Sequence, residues 1–206
     1  MKHLRPALLL TAFFVVLTGL AFPAALWAIG QSLFPDQANG SLLRDAEGHP
    51  VGSILIGQSF SKAEYFHGRP SAAGAGYDAA NSSGTNLGPT SDKLIHGIGD
   101  DPATKDVDET YLGYAALARA YRQENGLAPD AMIPADAATR SASGLDPEIS
   151  VANAELQVLR VAHARQLSAQ RVHQLLREQT SARLFGVLGE PRANVLLLNL
   201  ALDRLK

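Results

Sequence analysis

The sequence predicts an α+β domain carried behind a single N-terminal transmembrane helix. Three features carry that expectation: a long uncharged N-terminal run, a loop-rich middle punctuated by short apolar runs, and a C-terminal third with helical spacing. The 206 residues are expected to divide into a tail at 1–6, a membrane helix at 7–34 and one soluble domain at 35–206.

The N-terminal run comes first. From Pro6 to Pro35 no side chain is charged, and Leu, Ala, Phe and Val dominate. A bilayer core of about 30 Å takes roughly 20 helical residues to cross, and a helix satisfies its own backbone within lipid. Pro23 is expected to kink it. A cleaved secretory signal is the rival, because Lys2 and Arg5 make a basic start. Its apolar stretch would be shorter, about 7–15 residues, and Ala28-Ile29-Gly30 offers the cleavage site only after an overlong run. An uncleaved anchor is therefore preferred. Lys2 and Arg5 precede the run and no Lys or Arg follows until Arg44. The positive-inside rule then places the N-terminus in the cytoplasm and residues 35–206 outside.

Beyond the anchor the chain carries 16 Lys and Arg against 20 Asp and Glu, a formal charge of −4, which argues against a nucleic-acid binder. The charge is uneven: residues 86–148 hold 11 acids and 5 bases, residues 155–206 hold 4 acids and 8 bases. Cysteine is absent, which excludes disulfides and thiolate metal sites.

Ser53-Ile54-Leu55-Ile56, between Gly52 and Gly57, reads as a buried strand. Residues 69–94 turn to Pro, Ser, Gly, Asn and Ala, a loop too long for an ordinary connection. Thr104 to Gln123 reads as a helix on the spacing of Val107, Tyr111, Ala115 and Ala118, stopped by Asn125-Gly126. Thr139 to Ser143 is a weaker strand. Asp146-Pro147 or Ser150 opens a helix with Leu156, Leu159, Val161 and Ala162 inward. Leu167-Ser168, with Val172 four positions past the cap, predicts a stapled helix to about Gln179. Leu184 to Leu188 suits a strand broken by Gly186, and Asn194 caps a final helix through Leu196, Leu197, Leu200 and Leu205, although the first five apolar residues of that segment suit a strand equally.

Motifs of independent catalysis are missing. The chain has no G-x-x-x-x-G-K-[ST], no G-x-G-x-x-G after a strand and no G-x-S-x-G. The histidines, at 3, 49, 67, 96, 163 and 173, never fall four apart, so no metal site is expected. Asp100, Asp101, Asp106, Asp108 and Glu109 lack the spacing of a calcium loop and suit a helix start instead. No residue is assigned a catalytic role.

Read in order, the polar segments form a pattern. Gly52-Ser53-Ile54-Leu55-Ile56-Gly57-Gln58 is followed by Tyr65-Phe66, Arg69-Pro70-Ser71 and Tyr77. Next come Ser83-Gly84-Thr85-Asn86-Leu87-Gly88-Pro89-Thr90 and Ser141-Ala142-Ser143-Gly144-Leu145-Asp146-Pro147. Gln157, Arg160-Val161-Ala162, Gly189-Glu190-Pro191-Arg192-Ala193-Asn194-Val195 and Leu198-Asn199 complete it. This ordered set resembles the KdpC family, the C subunits of Kdp-type potassium-transporting P-type ATPases, over nearly the whole chain. Thr85, Ser91 and Ala193 depart from the usual Ser, Asn and larger aliphatic residue.

The resemblance implies a non-catalytic accessory subunit of an ATP-driven, high-affinity potassium importer in a bacterial inner membrane. Its partners would be a potassium-selective, channel-like subunit and a P-type subunit that hydrolyses ATP through an aspartyl-phosphate. The present chain has no D-K-T-G-T sequence. Family accounts add a catalytic chaperone role, raising ATP affinity of the hydrolytic subunit in a transient ternary complex. No cofactor would be tightly bound, and ATP would be met only in that complex. The proposed nucleotide contact maps to Gln157 and Arg160, yet the expected topology puts both across the bilayer from cytoplasmic ATP. Hydrogen bonding of Gln157 and Arg160 to loops of their own domain is the preferred reading. For Arg69, Ser83, Asn86, Gly88 and Pro89 two readings stand: docking near the potassium entrance, or a loop satisfied within itself. The alternative function is a membrane-anchored module that stabilises the entrance without touching nucleotide.

Overall fold

The uncharged run forms one continuous helix, Leu4–Leu33. The structure, a computed structural model, describes residues 3–98 and 111–205. It divides into two units, Met1–Ser53 and Ile54–Lys206, each taken by itself.

In the first unit, α1 (Leu4–Val16) passes through a π-helical turn, Leu17–Ala21, into α2 (Phe22–Leu33). The wide turn lies just before Pro23, whose ring crowds the carbonyl four residues back and which donates no hydrogen bond. The proline is thus absorbed without ending the helix. Thr18 Oγ1 donates to the Phe14 carbonyl at 2.7 Å, so its hydroxyl is also satisfied internally. Thirty residues rise about 45 Å, ample for a bilayer core of about 30 Å. None of its residues is buried within the chain, so the apolar surface faces outward all round. The helix begins three residues earlier than the sequence suggests and ends one earlier, as Phe34 leaves helical geometry ahead of Pro35.

A short α3 (Pro35–Ala38) leads to an antiparallel hairpin, β1 (Leu42–Arg44) with β2 (Pro50–Ser53). Asp45 Oδ1 accepts from the backbone N–H groups of Glu47 and His49, which shapes the turn. The strand expected at Ser53–Ile56 therefore lies earlier, because pairing with β1 fixes it at Pro50–Ser53. Residues 54–56 form a turn, with Leu55 58% exposed.

The second unit packs three helices on a small antiparallel sheet ordered β3–β5–β4, comprising β3 (Glu148–Ser150), β4 (Thr180–Ser181) and β5 (Arg192–Asn194). The helices are α6 (Val151–Arg165), α7 (Ala169–Glu178) and α8 (Val195–Asp203). Each opens on a side-chain cap: Ser150 accepts from Asn153 N–H, Ser168 from Arg171 N–H, Asn194 from Leu197 N–H. Leu167 and Val172 pack on the common core as the stapled start requires. That core comprises Phe66, Ile149, Val158, Val161, Val172, Leu176, Val195, Leu198 and Leu202 among others.

Four expectations need correction. Thr139–Ser143 is not a strand; a 3₁₀ turn precedes it and bends follow, while the strand is Glu148–Ser150. Leu184–Leu188 is a tight exposed turn closed by a bridge between its ends, because Phe185 and Gly186 both adopt positive φ. Leu159 is 69% exposed, since α6 turns Asn153, Ala154, Gln157, Val158, Val161 and Ala162 inward instead. The helix expected from Thr104 is α5 (Tyr114–Glu124), preceded by α4 (Asp92–His96). Ile98 and Tyr111 exchange two backbone hydrogen bonds, at 2.9 and 3.0 Å, which holds Tyr111 out of the helix. The acids at 100–109 and Val107 lie outside the described residues.

Candidate functional site

Residues 62–69 have no regular secondary structure, yet side chains of α6 and α8 hold the carbonyls of residues 63–67 one by one. His67 Nε2 lies 2.9 Å from the Lys62 carbonyl. Arg160 Nη1 donates to the carbonyls of Ala63 and Tyr65, at 2.8 and 2.9 Å, and Arg165 Nε to that of Glu64 at 2.7 Å. Asn199 Nδ2 donates to the Phe66 carbonyl at 2.9 Å, and Gln157 Nε2 to the His67 carbonyl at 3.1 Å. Six consecutive carbonyls are thereby satisfied by side chains.

Two of these side chains imitate a neighbouring β-strand. Asn199 Oδ1 accepts from Phe66 N–H and Gln157 Oε1 from His67 N–H, both at 2.8 Å. Each amide thus donates to and accepts from one residue, as a strand partner does. Gln157 and Asn199 are each only 1% exposed. The α6 face that carries Gln157 reaches further inward through Asn153. Asn153 Oδ1 accepts from Gln157 Nε2 at 2.9 Å and from the Tyr121 hydroxyl at 2.8 Å, while its Nδ2 donates to Asp136 at 3.1 Å. Asp136 also accepts from the Ser150 N–H and hydroxyl, so the network ends at the α6 cap. Burial, and then the charge of Asp136, pushes the Tyr121 phenol well above its ordinary range.

Arg160 completes the cluster. Its Nε donates to Asn125 Oδ1 at 3.0 Å and its Nη2 to Gln157 Oε1 at 2.8 Å. Burial draws its pKa down, opposed by the nearby charge of Glu124 and by Tyr121. Gln157 and Arg160, three apart on one helix face, are brought together, and their polar atoms bond the chain's own backbone and amides.

A cleft of about 320 Å³ lies between this loop and α5, lined by His67, Arg69, Tyr77, Tyr121 and Glu124 among others. His67 Nδ1 sits 2.8 Å from Glu124 Oε1. The His67 hydrogen bond, more than its charge, holds the Glu124 carboxyl below the usual glutamate range. A carboxylate with a depressed folded pKa stabilises the fold above its unfolded pKa, and that contribution disappears as acid protonates it. Stability of Glu124→Gln is therefore expected to fall less than that of the parent as pH drops through and below the ordinary glutamate value of about 4.3. Urea denaturation across that range checks it.

The candidate docking residues separate into two groups. Arg69 is half-buried and bonded within the domain: Nη1 donates to Asp146 Oδ2 at 3.0 Å, and Nη2 to the Thr139 hydroxyl and carbonyl at 3.2 and 3.3 Å. It ties the Ser/Gly-rich loop to residues 139–146. The Tyr77 hydroxyl donates to the Arg69 carbonyl at 2.7 Å, and burial followed by the Asp146 charge pushes its pKa up to about 12. Ser83, Asn86, Gly88 and Pro89 are exposed. Ser83 N–H bonds the Ser143 carbonyl at 3.0 Å, and a Cβ at Gly84 would meet the Ala142 carbonyl oxygen at 2.6 Å. Asn86 holds φ of +52°, a left-handed residue on the open stretch of the loop.

Sequence reasoning gave no role to Asn199, Asn153, His67 or Glu124. The available signal was an amide at helical spacing from core residues, Asn199 three positions from Leu196 and Leu202, and Asn153 four from Ile149. Among the described residues no group of three or more His, Asp or Glu is placed to hold a metal ion.

A family model described as "K+-transporting ATPase, c chain" (KdpC) matches residues 4–204. A curated relative named "Potassium-transporting ATPase KdpC subunit", from Caulobacter vibrioides strain NA1000, is 52% identical over 203 residues, spanning 98% of this chain and 93% of the relative. The protein of the same name from Mycobacterium tuberculosis strain H37Rv is 50% identical over 204 residues, spanning 99% of both chains. That from Caulobacter sp. strain K31 is 50% identical over 203 residues, with 98% and 94% covered.

Proposed function

The chain belongs to the KdpC family of potassium-transporting ATPase c chains, and on that premise we propose that it is a non-catalytic accessory subunit of an ATP-driven potassium importer. The observation that carries this reading is the family match over residues 4–204, at about half identity to relatives across nearly their whole length. The helix Leu4–Leu33 supplies a membrane anchor of sufficient length. The basic residues Lys2 and Arg5 before it, with none after until Arg44, favour a cytoplasmic N-terminus and a domain beyond the bacterial inner membrane. The partners are a potassium-selective subunit and the subunit that forms the aspartyl-phosphate.

Any influence on ATP affinity is exerted through those partners, without nucleotide contact at Gln157 or Arg160. What supports this is the use already made of their polar atoms: Gln157 bonds both backbone groups of His67, and Arg160 bonds two carbonyls and two amides. Gln157 is also 1% exposed, which leaves ATP no surface to touch. The same observation favours the second reading, in which the domain steadies the potassium entrance through the exposed residues Ser83, Asn86, Gly88 and Pro89 and ATP affinity is unaffected.

The test uses the complete complex. Removing this chain should abolish potassium-stimulated ATP hydrolysis by the remaining subunits, and adding it back should restore it; undiminished activity without it would overturn the accessory role. If restoration lowers the KM for ATP, the chaperone reading stands over the entrance reading. Orientation is read separately from Gln123→Cys, an exposed α5 position in a chain without other cysteines. Labelling by a membrane-impermeant thiol reagent in intact cells is expected. Labelling only in opened cells, with the site accessible in the purified complex, would reverse the topology.

A further inference from the structure

The tight turn Leu184–Leu188 contributes nothing to the core. Every residue from Ser181 to Pro191 is exposed, including Leu184 at 58%, Phe185 at 85%, Val187 at 71% and Leu188 at 57%. Four large apolar side chains around one glycine form a convex tip, and isolated exposed apolar residues do not explain so dense a cluster. We propose that this tip enters the bilayer boundary, as a second, shallow membrane contact of a domain whose first attachment is the helix Leu4–Leu33.

Three observations favour lipid over a protein partner or a second copy. The first is backbone satisfaction. Leu184 and Leu188 exchange N–H to carbonyl bonds at 2.9 Å each, Gly186 N–H bonds the Arg183 carbonyl at 3.1 Å, and Val187 N–H bonds the Leu184 carbonyl at 3.2 Å. These bonds satisfy the N–H groups of Leu184, Gly186, Val187 and Leu188 within the tip and leave Phe185 N–H and the carbonyls of Phe185, Gly186 and Val187 to interfacial water, which fits the headgroup boundary and not the hydrocarbon core. The second is composition. Strong protein–protein contact residues are enriched in Trp, Tyr and Arg and depleted in Leu and Val, whereas this tip is Leu, Phe, Val and Leu. The third is size. A stable protein interface needs roughly 800 Å² on each side, more than four side chains on one turn provide. A tip on a chain already held at a membrane needs far less, because tethering raises its effective concentration there. Arg183, beside the tip and ion-paired with Glu190, sits at the level where charged side chains meet headgroups.

The proposal rests on the helix being a membrane anchor, so the experiment reads both. The absence of cysteine permits single nitroxide labels on the full chain at Val187→Cys, Leu20→Cys and Gln170→Cys, the last an exposed position on α7. The chain is reconstituted alone into phosphatidylethanolamine–phosphatidylglycerol vesicles, and label collisions with oxygen and with a water-soluble nickel chelate are measured. Labels at Val187 and Leu20 should be oxygen-accessible and shielded from nickel, with Gln170 open to it. Phe185→Ser with Leu188→Ser should raise nickel access at Val187 about tenfold or more, since each large apolar side chain lost weakens partitioning by at least that factor. A nickel-accessible Val187 beside a shielded Leu20 overturns the tip alone. Nickel access at both overturns the anchor and the proposal with it. Shielding of Val187 that appears only when the other ATPase subunits are added assigns the tip to a protein partner and overturns the lipid assignment.

Discussion

Gln157→Leu should lower stability by about 3 kcal/mol although the side chain's volume is nearly kept. The change removes the bonds to His67 N–H, the His67 carbonyl, Asn153 Oδ1 and Arg160 Nη2, and buried groups left unpaired each cost about 1–3 kcal/mol, partly recovered by relaxation. Asn199→Leu should cost a similar amount through Phe66. The two amides hold adjacent residues, so the double variant is expected to lose less than the sum, the second change acting on a segment already released. Urea denaturation of the full chain in detergent gives the energies. Amide exchange at Phe66 and His67 shows whether the loop opens locally before the core does. A fully stable Gln157→Leu would leave this amide free for another role and reopen direct nucleotide contact.

Gly144→Ala is expected to be comparably severe for a steric reason. Gly144 has φ of +68°, and a Cβ there would come 2.6 Å from the Ala73 backbone nitrogen and 2.7 Å from the Ser83 carbonyl oxygen. Both are backbone atoms and cannot swing aside. Strain in the left-handed region and displacement of two chain segments together should cost about 2–4 kcal/mol. Because the Ser71 hydroxyl donates to the Gly144 carbonyl at 2.6 Å, the Ser/Gly-rich loop should move with it. If that loop docks on a partner, the variant loses assembly with the other subunits at temperatures where the isolated chain still gives a native circular dichroism spectrum. Wild-type stability and assembly together would contradict the crowding at this position.

The starts of the last three helices were legible because their physics is local. Ser150, Ser168 and Asn194 each place a short oxygen-bearing side chain beside the first free N–H groups, and nothing distant is needed to recognise them. Strands were not legible, since a run such as Ile54-Leu55-Ile56 records apolarity but not which segment will pair with it. Pairing of Leu42–Arg44 with Pro50–Ser53 took the ladder and left Leu55 in a turn. The inward face of α6 was misjudged at Leu159 for a related reason. Periodicity that counts only apolar residues misses a face carrying Asn153 and Gln157, polar side chains whose partners arrive from residues 67 and 121. The site residues Gln157, Arg160 and Arg69 were visible as a resemblance, whereas their hydrogen-bonding roles depend on chain segments roughly 70 to 100 positions away.

The carbonyl-by-carbonyl capture of residues 62–67 also fixes the length of that segment. Two β-strands that gain or lose a pair of residues can slide and find an equivalent ladder, because every rung offers the same groups. Here the rungs are unlike side chains: Arg160 takes the carbonyls of Ala63 and Tyr65, and Arg165, Asn199 and Gln157 take one each, all reaching in from fixed turns of α6 and α8. A single inserted or deleted residue has no second alignment to fall into. The segment behaves like a key cut for one lock: substitutions on its outward side chains are tolerable, while a change in its number of residues is not.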